Sequence, residues 1–326
     1  MKVFVRLIWV FSVVSTLSFA KINQSTVPLV AVSIKPIHSL VDFLMQGMKR
    51  RPILIFTGKT SPHVANVPPS MLQKIKRAKL LIWLGKEYST GLAKIAKTRT
   101  REENILTILH SKVPLNLYAP RKGDLWAGCG GSKHKHHTHH NCHSGKSDPH
   151  VWLDPRNAKA IATVICKRLK MLDPENKHYY EENKVKLIKK IDELTMTLTK
   201  RIKPHKGQSY IIYHDSTQYF DNYFGIKAVG SVVLEPGVPV SAGHIKRLRD
   251  YLSSNSNVPV FVELPYSIEN IRKYFSFPGI KTGSMDPVKF GVLDPVGLSV
   301  APGPYAYFDI MHHLVDNFIV QLERAA

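Results

Sequence analysis

Cysteine is scarce: Cys129, Cys142 and Cys166 are the only three in 326 residues. A disulfide scaffold is excluded, because such folds pack several bridges into a short chain. Cys166 falls in an apolar helical pattern (Ile161, Val164, Ile165, Leu169) and is expected to be a buried, unpaired thiol. Cys129 and Cys142 flank a histidine tract, where they either pair in an oxidising compartment or serve as soft metal ligands. Acid is also in short supply, with 24 Asp and Glu against 46 Lys and Arg and a formal net charge of +22. An excess of that sign often points to an anionic partner. Here the basic residues are spread over helical stretches such as 184–190 and 246–249, with no interleaved aromatics and no nucleic-acid motif. The charge therefore reads as a well-solvated surface, and nucleic acid is not an expected partner.

Long hydrophobic runs are missing beyond the first twenty residues, which excludes an obvious membrane span there. Those first residues carry Lys2 and Arg6, an apolar run over 7–17, and Ser18-Phe19-Ala20 with small residues at both positions that a peptidase reads. The pattern predicts a secretory signal peptide over 1–20, and no cysteine near the cut suggests a lipid anchor. The mature chain is expected in a bacterial periplasm. Its 44% hydrophobic and 21% charged residues suit a globular protein, and its length exceeds what one core usually holds.

Short apolar runs at Val27–Ser33, Arg51–Phe56 and Leu80–Leu84 predict buried strands, with helical patterns through Leu40–Met45 and Pro69–Lys79 between them. This alternation predicts an α/β fold with mostly parallel sheets flanked by helices. Residues 123–147 are Gly, Ser, Lys and His with little to bury, so a His-rich insertion (129–147) is expected there. A helix follows over Asn157–Leu172. From Asp173 and Pro174 to Pro204, Leu187, Ile188, Ile191, Leu194 and Leu198 recur at helical spacing, predicting one long helix capped by Asp173. Strands at Tyr210–Tyr213 and Pro259–Val262 and helices at Ala242–Leu252 and Phe308–Leu322 complete the pattern. The expected division is an N-terminal lobe over 27–172, a linking helix over 173–204 and a C-terminal lobe over 205–326.

Four segments put a metal-capable side chain at or just beyond a strand end: Ser61-Pro62-His63, Asp148-Pro149-His150, Tyr213-His214-Asp215 and Val292-Leu293-Asp294. Open α/β sheets bind ligands outside the carboxyl ends of their strands, so the four can converge between the lobes. Three neutral imidazoles and one carboxylate suit Zn²⁺ and tolerate Mn²⁺ or iron. Asp215 and Glu263 also follow strands, where they can orient a ligand imidazole, and His38 suits a supporting or helix-start role. Asp286 is a decoy for Asp294, and His312 and His313 read as surface residues of the last helix.

Ser33-Ile34-Lys35-Pro36-Ile37-His38-Ser39, Pro62-His63, His150-Val151-Trp152-Leu153-Asp154-Pro155, His214-Asp215 with Tyr219-Phe220, and Leu293-Asp294-Pro295-Val296-Gly297 together resemble the periplasmic zinc/manganese-binding proteins of ABC importers. The resemblance spans about residues 29–322. It implies two four-stranded lobes bridged by a backbone helix, His63, His150 and His214 as ligands, and Asp294 at an acidic position that ligates in some relatives. It further implies a monomer that delivers a divalent metal to a membrane permease. Ser61 stands where zinc-type relatives often carry an acid, which raises the weight on Asp294. A His tract ahead of the second ligand is a zinc-type habit; His134, His136, His137, His139, His140 and His143 are expected to bind zinc or copper weakly. The alternatives are a manganese-preferring protein of the same group and a zinc hydrolase, although no HExxH motif or serine elbow accompanies the histidines.

Overall fold

The computed structural model describes residue 24 and residues 29–57, 60–98, 102–127, 147–275 and 288–325. The predicted signal peptide, the six tract histidines, Cys129, Cys142 and Asp286 lie outside the described residues.

Two parallel sheets form, each of four strands among the described residues. The first holds β1 (Val30–Val32), β2 (Ile53–Leu54), β3 (Leu80–Trp83) and β4 (Ile105–Thr107) in the order β2-β1-β3-β4. The second holds β5 (Ser209–Ile212), β6 (Lys227–Ser231), β7 (Val260–Glu263) and β8 (Phe290–Leu293) in the order β6-β5-β7-β8. Both orders reverse direction once, between β1 and β3 and between β5 and β7, which opens a crevice at each set of strand ends. The helices are α1 (Lys35–Leu44), α2 (Pro69–Arg77), α3 (Thr90–Lys97), α4 (Pro155–Leu172), α5 (Lys177–Ile202), α6 (Gln218–Phe224), α7 (Ala242–Ser254), α8 (Ile268–Arg272) and α9 (Ala306–Ala325). None of them is long and apolar enough to cross a membrane.

Helix α5 is shorter than the sequence pattern predicts, because 3-10 turns at Pro174–Asn176 and Lys203–His205 take up its two proline-bearing ends. Its 26 residues run about 39 Å at the usual rise. Asp173 does not cap it. The carboxylate is spent instead on Asn176 Nδ2 and Tyr180 Oη, both donors at 2.8 Å. Tyr180, Leu187, Ile191, Leu194, Leu198 and Ile202 form the buried stripe of α5 at helical spacing. Through that stripe α5 packs on α1, α4 and α9. One continuous core includes Val30 and Leu81 of the first sheet, Leu187 and Ile191 of α5, and Tyr210 and Phe261 of the second. A smaller core on the far face of the second sheet holds Ile211, Val260, Val262 and Leu248. Cys166 is buried and unpaired, and burial pushes its thiol up to about 11.

Residues 115–127, which follow β4, leave the first lobe and cross to the second. Leu125 O accepts from Ser231 N at 2.9 Å, so this strap runs along the exposed side of edge strand β6. Gly230 makes the approach possible, since a Cβ there would lie 2.3 Å from Leu125 O. Arg121 anchors the strap by donating Nε–H to Asp215 Oδ1 at 2.9 Å and Nη1–H to Asp221 Oδ2 at 2.6 Å.

Candidate metal centre

His63 lies in the turn that follows β2, where Val64 N and Ala65 N donate to Ser61 O at 3.1 and 3.0 Å. His150 begins a 3-10 turn over Val151–Leu153 that runs into α4. Asp154 then caps α4, accepting from Arg156 N at 2.8 Å, and Pro155 supplies the first helical residue. Trp152, buried in this turn, donates Nε1–H to Pro295 O of the other half at 2.9 Å. His214 follows β5, and its backbone N–H points at Glu263 Oε1, 3.3 Å away at the end of β7.

These loops bring three imidazoles into a near-equilateral cluster. Ring centroids are 5.3 Å apart for His63 and His150, 5.1 Å for His63 and His214, and 5.2 Å for His150 and His214. One ring nitrogen from each lies within 4.8 Å of the other two; no other group of three or more such ligands occurs among the described residues. His63 Nε2 and His150 Nε2 are 3.2 Å apart. Two nitrogens bound to one tetrahedral zinc at about 2.05 Å lie roughly 3.3 Å apart, so this pair is already at coordination spacing.

The two buried rings, His150 and His214, each have a carboxylate behind them. Asp148 Oδ1 sits 2.7 Å from His150 Nδ1 and also accepts from His150 N at 2.9 Å, which leaves Nε2 facing the cluster. Glu263 Oε2 is 2.8 Å from His214 Nδ1, off the line of a good hydrogen bond, while His214 Nε2 is buried with no hydrogen-bond partner among the described residues. Burial works against a charged His214 ring, yet Glu263 beside it, with Asp215 and Asp148, holds its pKa above the ordinary imidazole value. Carboxylates in this position fix the tautomer of a ligating imidazole and raise its basicity. Tyr88 packs its buried ring on His63 with centroids 4.3 Å apart.

Asp294 is not brought into the cluster. Its carboxylate accepts from Leu298 N and Ser299 N at 2.7 Å each and from Ser299 Oγ at 2.6 Å. It also faces the buried ammonium of Lys35, whose Nζ donates to the carbonyls of Gly297 and Val300. Asp294 therefore shapes the 294–300 loop and neutralises a lysine from the other half. Of the two residues expected to support a ligand ring, Glu263 takes that position, whereas Asp215 turns to Arg121. His38 accepts a structural task, with Nε2 at 3.0 Å from Pro52 O. His313 is exposed and His312 half-buried on α9. Asp148 and Tyr88 are the site residues that the sequence reading passed over. The i, i+2 spacing of Asp148 and His150 was the available signal for the first; nothing local marks the second.

The family profile described as zinc-uptake complex component A, periplasmic (ZnuA), matches residues 30–320. The high-affinity zinc uptake system protein ZnuA of Brucella abortus (strain 2308) is 32% identical over 308 residues, covering 88% of this chain and 90% of that protein. Among solved structures, the periplasmic zinc binding protein TroA from Treponema pallidum superposes with a TM-score of 0.72 at 14% identity, over 90% of this chain and 99% of that one. The SBP FpvC of Pseudomonas aeruginosa, in complex with Mn²⁺, gives 0.70 at 16% identity, over 92% and 100%. At those identities the two structures speak to fold alone.

Proposed function

The chain belongs to the family of periplasmic zinc-uptake components, and from that premise we propose that it captures one zinc ion on His63, His150 and His214 and hands it to the permease of an ABC importer. The observation that carries this reading is the buried meeting of three imidazoles drawn from both halves, two of them at coordination spacing. An all-imidazole set suits zinc, whereas manganese favours carboxylate and carbonyl oxygen. With Asp294 engaged by its own loop, the fourth position falls to solvent from the cleft, an opening of about 580 Å³ that the three histidines line. The carboxylates against the rings, Asp148 and Glu263, are committed to orienting them, which favours holding a metal over activating a bound water for hydrolysis. The reading includes residues 1–20 as an export signal, lobes over 27–172 and 205–326 joined by 173–204, a working monomer without enzymatic activity, and a His tract that binds metal weakly.

Titration calorimetry of the demetallated chain tests the ligand set. One tight zinc equivalent is expected for the parent, with that equivalent lost in His63→Ala, His150→Ala and His214→Ala. Parent-like tight binding in all three variants would overturn the assignment.

A further inference from the structure

A buried carboxylate in the same cleft takes no part in the triad. Glu87 lies in the loop between β3 and α3 and lines the cleft alongside the three histidines. Its side chain is 9% exposed, so more than nine-tenths of it is hidden. In a chain with 46 Lys and Arg, no basic side chain pairs with it among the described residues except the ring of His110. His110 ends the 3-10 turn that follows β4, and its Nε2 is 3.2 Å from both Glu87 Oε1 and Oε2. Gly85 makes room for the pair: its φ is +145°, and a Cβ there would lie 2.5 Å from Glu87 Oε2 and 3.6 Å from His110 Nε2.

We propose that Glu87 and His110 form a second, weaker site for a zinc-type divalent cation at the rim of the cleft, completed by water. The spacing fits the chemistry. A cation about 2.1 Å from a nitrogen and an oxygen that are 3.2 Å apart subtends an angle of roughly 100°, between octahedral and tetrahedral values. One imidazole and one carboxylate form a borderline donor pair of the kind zinc accepts. Both residues sit at the carboxyl ends of strands, on the same side of the first sheet as His63 and His150. Glu87 is joined directly to Tyr88, whose ring packs on His63. His110 is 58% exposed, so the rim pair meets solvent while the triad lies deeper. A cation held there is concentrated at the mouth of the tight site, which raises the rate of loading without changing the final affinity of the triad.

The test uses the full chain loaded with one equivalent of zinc and then titrated with Co²⁺, comparing the parent with His110→Gln, Glu87→Gln and Gly85→Ala. Each variant is expected to bind one cobalt equivalent fewer than the parent by equilibrium dialysis. In the parent, the His110 ring protons should broaden in NMR spectra as cobalt is added. His110→Gln changes a half-exposed side chain, so its folding is secure even if the buried changes disturb theirs. Equal cobalt counts in the parent and His110→Gln, or a sharp His110 signal at cobalt saturation, would overturn the proposal. The inference does not rest on the triad: failure to take up the first zinc equivalent would appear in the parent and all variants alike.

Discussion

Replacing Glu263 by Gln keeps the side chain's shape and removes only its charge, which isolates what that carboxylate does for His214. Two effects oppose each other. Without the negative charge the ring is a less basic ligand, and loss of such a supporting carboxylate typically weakens metal binding by about 10–100-fold, or roughly 1.4–2.7 kcal/mol. Without the same charge, burial is no longer offset and the His214 pKa falls, so protons compete less well for the ring. The first effect acts at every pH. The second matters only where the parent ring is protonated, and because its pKa is raised, that region begins above the ordinary imidazole value of about 6.5. Zinc affinity, measured against a chelator from pH 8 to pH 5.5, is therefore expected to drop earlier on acidification in the parent than in Glu263→Gln. The gap between the two should be widest at pH 8 and should narrow as pH falls. In the demetallated parent the stability linkage has the opposite sense: a raised pKa contributes stability that is full below the unfolded value and lost as pH rises through the folded one. Parallel affinity curves with a constant gap, or equal affinity at pH 8, would refute this account of Glu263.

Three further outcomes follow from contacts already described. Asp294→Asn should leave zinc affinity at the parent level in calorimetry, yet cost about 1–3 kcal/mol in denaturant unfolding because an amide cannot accept all three loop donors. Arg121→Ala should destabilise by about 3 kcal/mol in the same assay, since it strands Asp221, already pushed upward by burial, without its cation. Deleting 132–147 should remove weak zinc equivalents in calorimetry and spare the tight one.

The three histidines that the structure gathers could be picked out because each stands within a short run, Pro-His, Asp-Pro-His-Val-Trp or Tyr-His-Asp. Asp294 lies apart from the three rings for a physical reason. A Leu-Asp-Pro at a strand end looks the same whether its oxygens face a metal or its own loop, and here three donors from Leu298 and Ser299 engage them. Arg121 and Glu87 carried no local signal, because their partners Asp221 and His110 lie 100 and 23 residues away, respectively. The missed elements have local causes too. β4 is three residues long, and β6 carries Gly230 as the fourth of its five residues, which reads as a breaker until the Leu125 carbonyl occupies the space. Aromatic-rich α6 (Gln218–Phe224) lacks the repeating apolar spacing of a longer helix and ends at Gly225, whose φ is +82°.

How far the halves can move against each other follows from what crosses between them. A hinge opens easily when its interface is small and polar, but here one apolar core runs from the first sheet through α5 into the second. The polar crossings bracket the metal cluster. Lys35 ties α1 to the 294–300 loop, and Trp152 reaches Pro295 from the turn that carries His150. On the other side, Tyr219 Oη donates to Asp148 O at 2.8 Å, and Arg121 of the strap is held by Asp215, the neighbour of His214. Separating the lobes would therefore expose apolar core and break the Lys35, Trp152, Tyr219 and Arg121 contacts at once. Those shared contacts oppose a wide rigid-body opening. On the proposed reading, metal reaches the cluster through movement of the 61–67 turn that carries His63, while the rings of His150 and His214 stay backed by Asp148 and Glu263.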